Sequence, residues 1–268
     1  MPMSTSGASV GIARERFNVR VDGPEGQPTL VFSNSLGTKV AMWEPQLAAL
    51  STHFRVVRYD TRGHGGSFVS PGEYGIDTLG RDVLHIADAL GIARFHFCGL
   101  SMGGAVGMWL ALHAPDRVDR LVLANTAAKF GTTERWNARI DAVTRGGMAA
   151  VADGVIENWF TPGFRAREPE AVSRLRSMLL ATPVEGYLAA CRAVRDIDLT
   201  AAVERIARPT LVIVGMRDVP TPPAQGRELA RRIAGARLFE LDAAHISNIE
   251  AAAAFNAELS RFLTVEKP

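Results

Sequence analysis

Hydrophobic positions along this chain fall into two rhythms. Short apolar runs bounded by turn-forming residues read as strands, and longer stretches with apolar positions three and four apart read as helices. Arg16-Phe-Asn-Val-Arg-Val21 alternates apolar and polar residues, the pattern of a half-exposed antiparallel strand. Asp22-Gly-Pro-Glu-Gly-Gln-Pro28 is turn chemistry, and Thr29-Leu-Val-Phe-Ser33 has the apolar centre of a strand covered on both faces. Trp43–Ser51 has helical spacing, and Arg55–Tyr59 is a strand that runs into Asp60-Thr-Arg-Gly-His-Gly-Gly-Ser67. A helix is predicted from Asp77, with Leu79, Val83, Ile86, Ala87 and Leu90 on one face and Asp77 or Thr78 as its cap. A strand at Arg94–Cys98, a helix at Ala105–His113 and a strand at Arg120–Ala124 continue the alternation.

From about Asn125 to Thr200 the rhythm changes. Trp136, Met148, Val151, Ile156, Trp159, Leu175 and Leu179 recur at helical spacing, with no strand-like run among them. The alternation resumes with strand Thr210–Val214, helix Pro223–Ile233, strand Arg237–Leu241 and a terminal helix Glu250–Leu263. The expected architecture is α/β, a mostly parallel sheet covered by helices. Residues 1–124 and 201–268 would form the core and residues 125–200 an inserted helical cap. That cap would overhang the carboxyl ends of the strands, where open α/β sheets bind ligands.

Composition narrows the function classes. Hydrophobic content of 47% and charged content of 22% over 268 residues are those of an ordinary globular enzyme. The net charge of +2 is small and no Lys/Arg run exceeds two residues, so neither nucleic acid nor a membrane is an expected partner. The opening Met1–Ser9 is polar and small, without the apolar core of a signal peptide, and no apolar stretch reaches membrane-spanning length. Cys98 and Cys191 lie in separate segments and are expected as free thiols in a reducing cytoplasm. A homo-oligomer is left open.

The chemistry centres on Gly99-Leu-Ser101-Met-Gly103, between a predicted strand and a predicted helix. Gly-x-Ser-x-Gly in that context is the nucleophile elbow, in which a sharp, strained turn projects the serine hydroxyl above the sheet. Small residues two before and two after are needed because strand and helix approach closely there. A serine needs a base, and the base needs an orienting acid. Of the six histidines, His85 and His113 fall in helices, His96 on a strand and His53 in a polar turn; His64, in the Gly-rich loop after a strand, is a candidate for the rim of a site, with local turn chemistry as the simpler account. His245 follows the last predicted strand in a small-residue loop. Asp218, after the strand Thr210–Val214, is preferred as the acid over Asp242, which shares the histidine's own loop. The order Ser, Asp, His is that of the α/β-hydrolase arrangement. An oxyanion hole would take one backbone amide from Met102 and the second from Leu36, in the loop Asn34-Ser-Leu-Gly37. No metal and no organic cofactor is required by this set.

Several segments then point to one family: Asn34-Ser-Leu-Gly-Thr38 with Met42-Trp43, Tyr59-Asp-Thr-Arg-Gly-His-Gly65, Phe97-Cys-Gly-Leu-Ser-Met-Gly-Gly104, Asn125-Thr-Ala127, Thr221-Pro-Pro-Ala-Gln-Gly-Arg-Glu-Leu229 and His245-Ile-Ser-Asn-Ile-Glu250. From Arg16 to Leu263 the chain resembles the 3-oxoadipate enol-lactonases, α/β-hydrolases of the protocatechuate and catechol branches of aromatic degradation. Asn34-Ser35 stands where the superfamily commonly has His-Gly. The resemblance implies hydrolysis of 3-oxoadipate enol-lactone to 3-oxoadipate, with Ser101 as nucleophile, His245 as base and Asp218 as its orienter. An acyl-enzyme and a direct attack of water both fit the residues. The substrate would be a small lactone carrying a carboxylate, and a buried anion needs a cation. Among the cap arginines Arg135, Arg139, Arg165, Arg167, Arg174 and Arg176, Arg139 is the choice, beside Trp136, with Trp159 as a second pocket wall. A general carboxylesterase, a carbon–carbon hydrolase of ring-cleavage products and a hydrolase-fold ligand receptor are the rival readings.

Overall fold

The computed structural model describes residues 6–12 and 15–264; the first five residues of the polar N-terminus lie outside them. Eight strands of the described residues form one sheet: β1 (Ser6–Ile12), β2 (Glu15–Asp22), β3 (Thr29–Ser33), β4 (Arg55–Tyr59), β5 (Phe95–Leu100), β6 (Val118–Ala124), β7 (Thr210–Gly215) and β8 (Arg237–Leu241). Across the sheet the order is β1-β2-β4-β3-β5-β6-β7-β8. β2 pairs antiparallel with β1 and β4, and from β4 onward every pairing is parallel. The parallel strands at the centre are buried along most of their length, and β7 over all of it. β8, at the edge, alternates half-buried and exposed positions and ends on buried Leu241.

Helices α1 (Glu44–Leu50), α2 (Ile76–Ala89) and α3 (Met102–His113) follow the first parallel strands. α2 buries the stripe Leu79, Val83, Ile86 and Ala87, as its spacing predicts, but its N-cap is Gly75 rather than Asp77 or Thr78. Asp77 instead lies in the first turn, where a carboxylate meets the unpaired amides and positive end of the helix. α3 begins at Met102, three residues before the predicted start. Glycines 103 and 104 hide its first turn from a propensity reading, yet nearly all of α3 is buried and tertiary packing imposes the helix.

Between β6 and β7 run α4 (Thr133–Gly146), α5 (Ala149–Trp159), α6 (Pro162–Arg167), α7 (Pro169–Leu180) and α8 (Val184–Arg195). The neck of this helical segment is closed by the Leu199 amide donating to the Ala128 carbonyl at 2.9 Å and by an exposed Lys129–Asp198 ion pair at 2.9 Å. α9 (Pro223–Arg232), α10 (Ser247–Glu250) and α11 (Ala252–Thr264) complete the chain. The predicted terminal helix Glu250–Leu263 is α11, which starts two residues later; Glu250 ends the short α10, and Ala251 between the two helices has φ −121° and ψ 42°. The break frees the Glu250 carboxylate to turn back toward Ala244 and Thr161. Beneath the sheet's carboxyl edge, Phe32 stacks on Trp43 with ring centroids 4.3 Å apart, a contact worth about 1 kcal/mol beyond the area it buries. Cys98 and Cys191 are both buried free thiols. Among the described residues no helix is long and apolar enough to cross a membrane.

Candidate active site

Ser101 lies between β5 and α3 with φ 58° and ψ −118°, a backbone conformation that costs energy in a non-glycine residue. The neighbours that force it are tight. A Cβ on Gly99 would stand 2.0 Å from the Gly103 carbonyl oxygen, and one on Gly103 would stand 2.2 Å from the Ser33 carbonyl oxygen. The turn is held from outside as well: the Ser101 amide donates to the Ala124 carbonyl at 2.9 Å, and the Thr126 hydroxyl donates to the Ser101 carbonyl at 2.7 Å.

His245 and Asp218 leave the ends of β8 and β7 and meet. Nδ1 of His245 lies 3.0 and 2.9 Å from the two carboxylate oxygens of Asp218, and both side chains are buried. With Nδ1 donating to the carboxylate, Nε2 is the nitrogen left to face a substrate. Asp218 accepts three further bonds, from the Thr221 amide at 2.9 Å, the Thr221 hydroxyl at 2.7 Å and Nδ2 of Asn125 at 2.9 Å. Those donors fix the plane of its carboxylate. Asp242, the alternative acid, points elsewhere and pairs with exposed Arg217 at 2.7 Å.

Asn125 follows β6 and has φ 44°, a left-handed conformation that asparagine tolerates better than most residues. Its amide group donates to Asp218 and, at 3.1 Å, to the Ala244 carbonyl, and its oxygen accepts from the Ser247 hydroxyl. One side chain therefore ties the acid's strand to the histidine's loop.

The loop after β3 is pinned from three directions. Asn34 accepts from the Trp43 indole at 2.9 Å and donates to the Tyr59 carbonyl at 2.8 Å, while its own carbonyl accepts the Gly103 amide at 3.1 Å. Thr38 closes a turn on the Ser35 carbonyl at 2.7 Å. The Gly37 amide donates to Nε2 of His64 at 3.1 Å. Leu36, in this anchored loop, lines the same cleft as Met102, the first residue of α3, whose amide has no intrahelical acceptor. Among the described residues neither residue's amide donates to a protein carbonyl or side chain.

Ser101, His245, Leu36 and Met102 line one cleft. Its other wall comes from the helices between β6 and β7: Arg135, Trp136 and Arg139 of α4, Asn158 and Trp159 of α5, and Tyr187 of α8. Of the six arginines considered from sequence, only Arg135 and Arg139 line it. Arg176 pairs with Asp153 at 2.9 Å on the surface, Arg174 lies 3.9 Å from Glu170, and Arg167 sits over the Phe164 ring. The Arg139 guanidinium lies 5.1 Å from the centre of the Trp136 ring, and the Trp136 indole donates to the Phe130 carbonyl at 2.6 Å. Burial pushes the Tyr187 hydroxyl and the Cys191 thiol, the latter up to about 12, against the pull of Arg139 beside them.

Comparison with known proteins agrees with this geometry. The profile of the alpha/beta hydrolase fold matches residues 28–252. The chain is 43% identical to 3-oxoadipate enol-lactonase 2 of Acinetobacter baylyi over 240 residues, 90% of each chain, and 42% identical to enol-lactonase 1 of the same organism over 87% of this chain and 88% of that one. The crystal structure of the enol-lactonase from Burkholderia xenovorans superposes with a TM-score of 0.95 at 48% identity, covering 96% of this chain and all of that one. The chain belongs to the 3-oxoadipate enol-lactonase family of α/β-hydrolases. As a member of that family it is a hydrolase.

Four residues that shape the site in this enol-lactonase-family chain have partners that sequence spacing does not report, and of the four only His64 is a candidate for the site from sequence. Asn34, His64, Asn125 and Thr126 act through hydrogen bonds to partners well separated from them in the sequence. The signal that could have flagged them is position: each sits just past the carboxyl end of a parallel strand, at the edge where the site forms.

Proposed function

We propose that the chain hydrolyses 3-oxoadipate enol-lactone to 3-oxoadipate through Ser101, His245 and Asp218. The observation that carries this reading is the meeting of two sets of residues in one cleft. His245, held by Asp218, lines the same cleft as Ser101, and Arg135 and Arg139 line it too. A lactone carbonyl at Ser101 would leave the substrate's carboxylate facing those cations. The segment 125–200 serves as the cap that carries them.

The steps follow from the geometry. Ser101 Oγ attacks the lactone carbonyl carbon while His245 Nε2 takes its proton. The oxyanion rests on the Leu36 and Met102 amides, each such donor contributing about 100- to 1,000-fold in rate. The ring carbon–oxygen bond then breaks, its electron pair leaving on an enolate that His245 protonates, and the enol relaxes to the ketone. Water, deprotonated by the same imidazole, attacks the acyl-enzyme, and the carboxylate product departs with Ser101 regenerated. An enolate leaves readily, so the histidine's burden is mostly in the two attacks. The names of the enol-lactonases that this chain resembles support the choice of lactone.

The test is loss of the enol-lactone's ultraviolet absorbance with purified protein, beside a neutral aryl ester such as p-nitrophenyl acetate. Turnover of the lactone at the higher kcat/KM, abolished in a folded Ser101→Ala variant, is the expected result. Fast cleavage of the ester with none of the lactone would make the protein a general esterase.

A further inference from the structure

The loop that carries His245 is fastened to the end of α5 on both sides of the histidine. Ahead of it, the Ala244 amide donates to Oε2 of Glu250 at 2.9 Å. Glu250 in turn accepts from Thr161, 89 residues away, through the Thr161 amide at 3.2 Å and through its hydroxyl. Behind the histidine, the Ile246 amide donates to the Trp159 carbonyl at 3.0 Å. Thr161 also caps α6, its hydroxyl oxygen accepting the Phe164 amide at 3.2 Å, and Trp159 is a wall of the cleft. The site's general base and one face of its pocket are thus joined through a single carboxylate and one backbone hydrogen bond.

The chemistry of the joint needs an acid. Three donors from two segments converge on Glu250, and an ionised carboxylate is acceptor-only with two oxygens to share among them. A glutamine has one carbonyl oxygen and could serve Ala244 or Thr161, but not both. The chain also departs from helical geometry at Ala251, directly after this residue, which lets the side chain reach back.

We propose that Glu250 is a positioning residue for His245: it locks the histidine loop to the Trp159–Thr161 segment, so that the imidazole and the cleft wall are held as one unit. The inference rests on the reading of Ser101, His245 and Asp218 as the hydrolytic set. It places the effect of Glu250 on the reactivity of Ser101 and not on substrate affinity.

The experiment compares Glu250→Ala, Glu250→Gln and Thr161→Val for kcat and KM on the enol-lactone and on p-nitrophenyl acetate. It also measures the rate at which a small alkyl fluorophosphonate labels Ser101, with circular dichroism to establish folding. Misplacing a base by a fraction of an ångström costs about 10- to 100-fold. Glu250→Ala should lose that factor in kcat for both substrates and in labelling rate, with each KM within about threefold of wild type. Glu250→Gln should recover part of the loss, and Thr161→Val should lose about threefold to tenfold. A folded Glu250→Ala protein with wild-type kcat and labelling rate overturns the proposal, as does a rise in KM alone. Should Glu250→Ala not fold, labelling of Glu250→Gln and Thr161→Val at the wild-type rate overturns it equally. Failure of the lactone assay in the wild-type protein would count against the substrate alone, because the labelling rate is read without it.

Discussion

The amide of Gly37 donates to Nε2 of His64 at 3.1 Å, and Nδ1 of the same ring lies 3.1 Å from the Arg62 carbonyl. An imidazole that accepts at Nε2 and donates at Nδ1 is neutral, and its tautomer is determined by its two partners. His64 is fully buried, and burial pulls its pKa below the usual value of 6.5 against the opposing effects of the Arg62 carbonyl and Asp60. Gly37 is the residue after Leu36, so this ring holds the loop that presents one of the two cleft-facing amides.

The consequence for stability has a definite sign. In the unfolded chain His64 binds a proton near pH 6.5, whereas the folded state keeps it neutral to lower pH. Its contribution is therefore fully present above about pH 6.5 and falls by about 1.4 kcal/mol per pH unit below that, until the folded-state pKa is reached. His64→Gln keeps an acceptor for Gly37 and removes the titration. Urea unfolding at pH 7.5, 6.5, 6.0 and 5.5 should show the wild-type stability dropping toward that of the variant by this slope. A constant difference between the two would mean that the ring titrates alike in the folded and unfolded states, and the burial argument would fail.

Asn125 offers a sharper test of the acid. Its Nδ2 donates to Asp218 at 2.9 Å, inside a pocket where Asp218 is already fully engaged. Asn125→Asp replaces that donor with an acceptor of like charge beside a buried carboxylate. Asn125→Ala only removes it, although alanine tolerates φ 44° less well. The aspartate variant is expected to lose about 100-fold or more in kcat and the alanine variant about tenfold, as carboxylate repulsion disturbs the imidazole's orientation. Equal losses would show that Asn125 matters only through the backbone.

What the sequence made legible, and what it hid, follows from the range of the interactions. Strand–helix alternation and the apolar stripe Leu79, Val83, Ile86 are local patterns, and the structure has them where they are predicted. Ser101, Asp218 and His245 could be brought to one edge in thought because parallel strands all end there. The hydrogen bonds that orient them span 93 residues from Asn125 to Asp218 and 27 from Gly37 to His64, and no spacing rule reports such partners. The helix break at Ala251 was hidden for the same reason, since a run of alanines reads as uninterrupted helix until the tertiary role of Glu250 is known. On α4, Arg135 and Arg139 are four apart and share a face, so periodicity could not choose between them.

The elbow's tolerance can be measured against a neutral control. A methyl group on Gly103 would meet the Ser33 carbonyl oxygen at 2.2 Å, and that backbone leads directly into the loop of Leu36. Gly154, by contrast, lies exposed in the middle of α5 with nothing within 4 Å of an added Cβ. Gly103→Ala should lower the unfolding free energy by about 3 kcal/mol through overpacking and should depress kcat as Leu36 shifts. Gly154→Ala should raise stability by about 0.5–1 kcal/mol and leave kcat unchanged. A denaturant midpoint for Gly103→Ala equal to wild type would show that the strand and helix can separate, and the close-approach argument would fail with it.

Arg139 carries the substrate's charge in the proposed reading, and its surroundings favour it over Arg135. It is half-buried, stacked on Trp136 at 5.1 Å and placed beside the Tyr187 hydroxyl, whereas Arg135 is exposed at the rim. A charge-assisted hydrogen bond in such a place contributes about 1.5–3 kcal/mol, which corresponds to about 10- to 100-fold in affinity. Arg139→Ala should therefore raise KM for the enol-lactone by that factor and leave kcat/KM for p-nitrophenyl acetate, which has no carboxylate, within about twofold. Arg139→Lys keeps the charge but loses the planar fork and the stacking, so it should recover only part of the loss. Arg135→Ala should cost less than fivefold, roughly the scale of an exposed ion pair. The decisive quantity is the ratio of the two substrates' kcat/KM values: if Arg139→Ala leaves it unchanged, the carboxylate is held elsewhere, with Arg135 and Asn158 among the other donors that line the cleft.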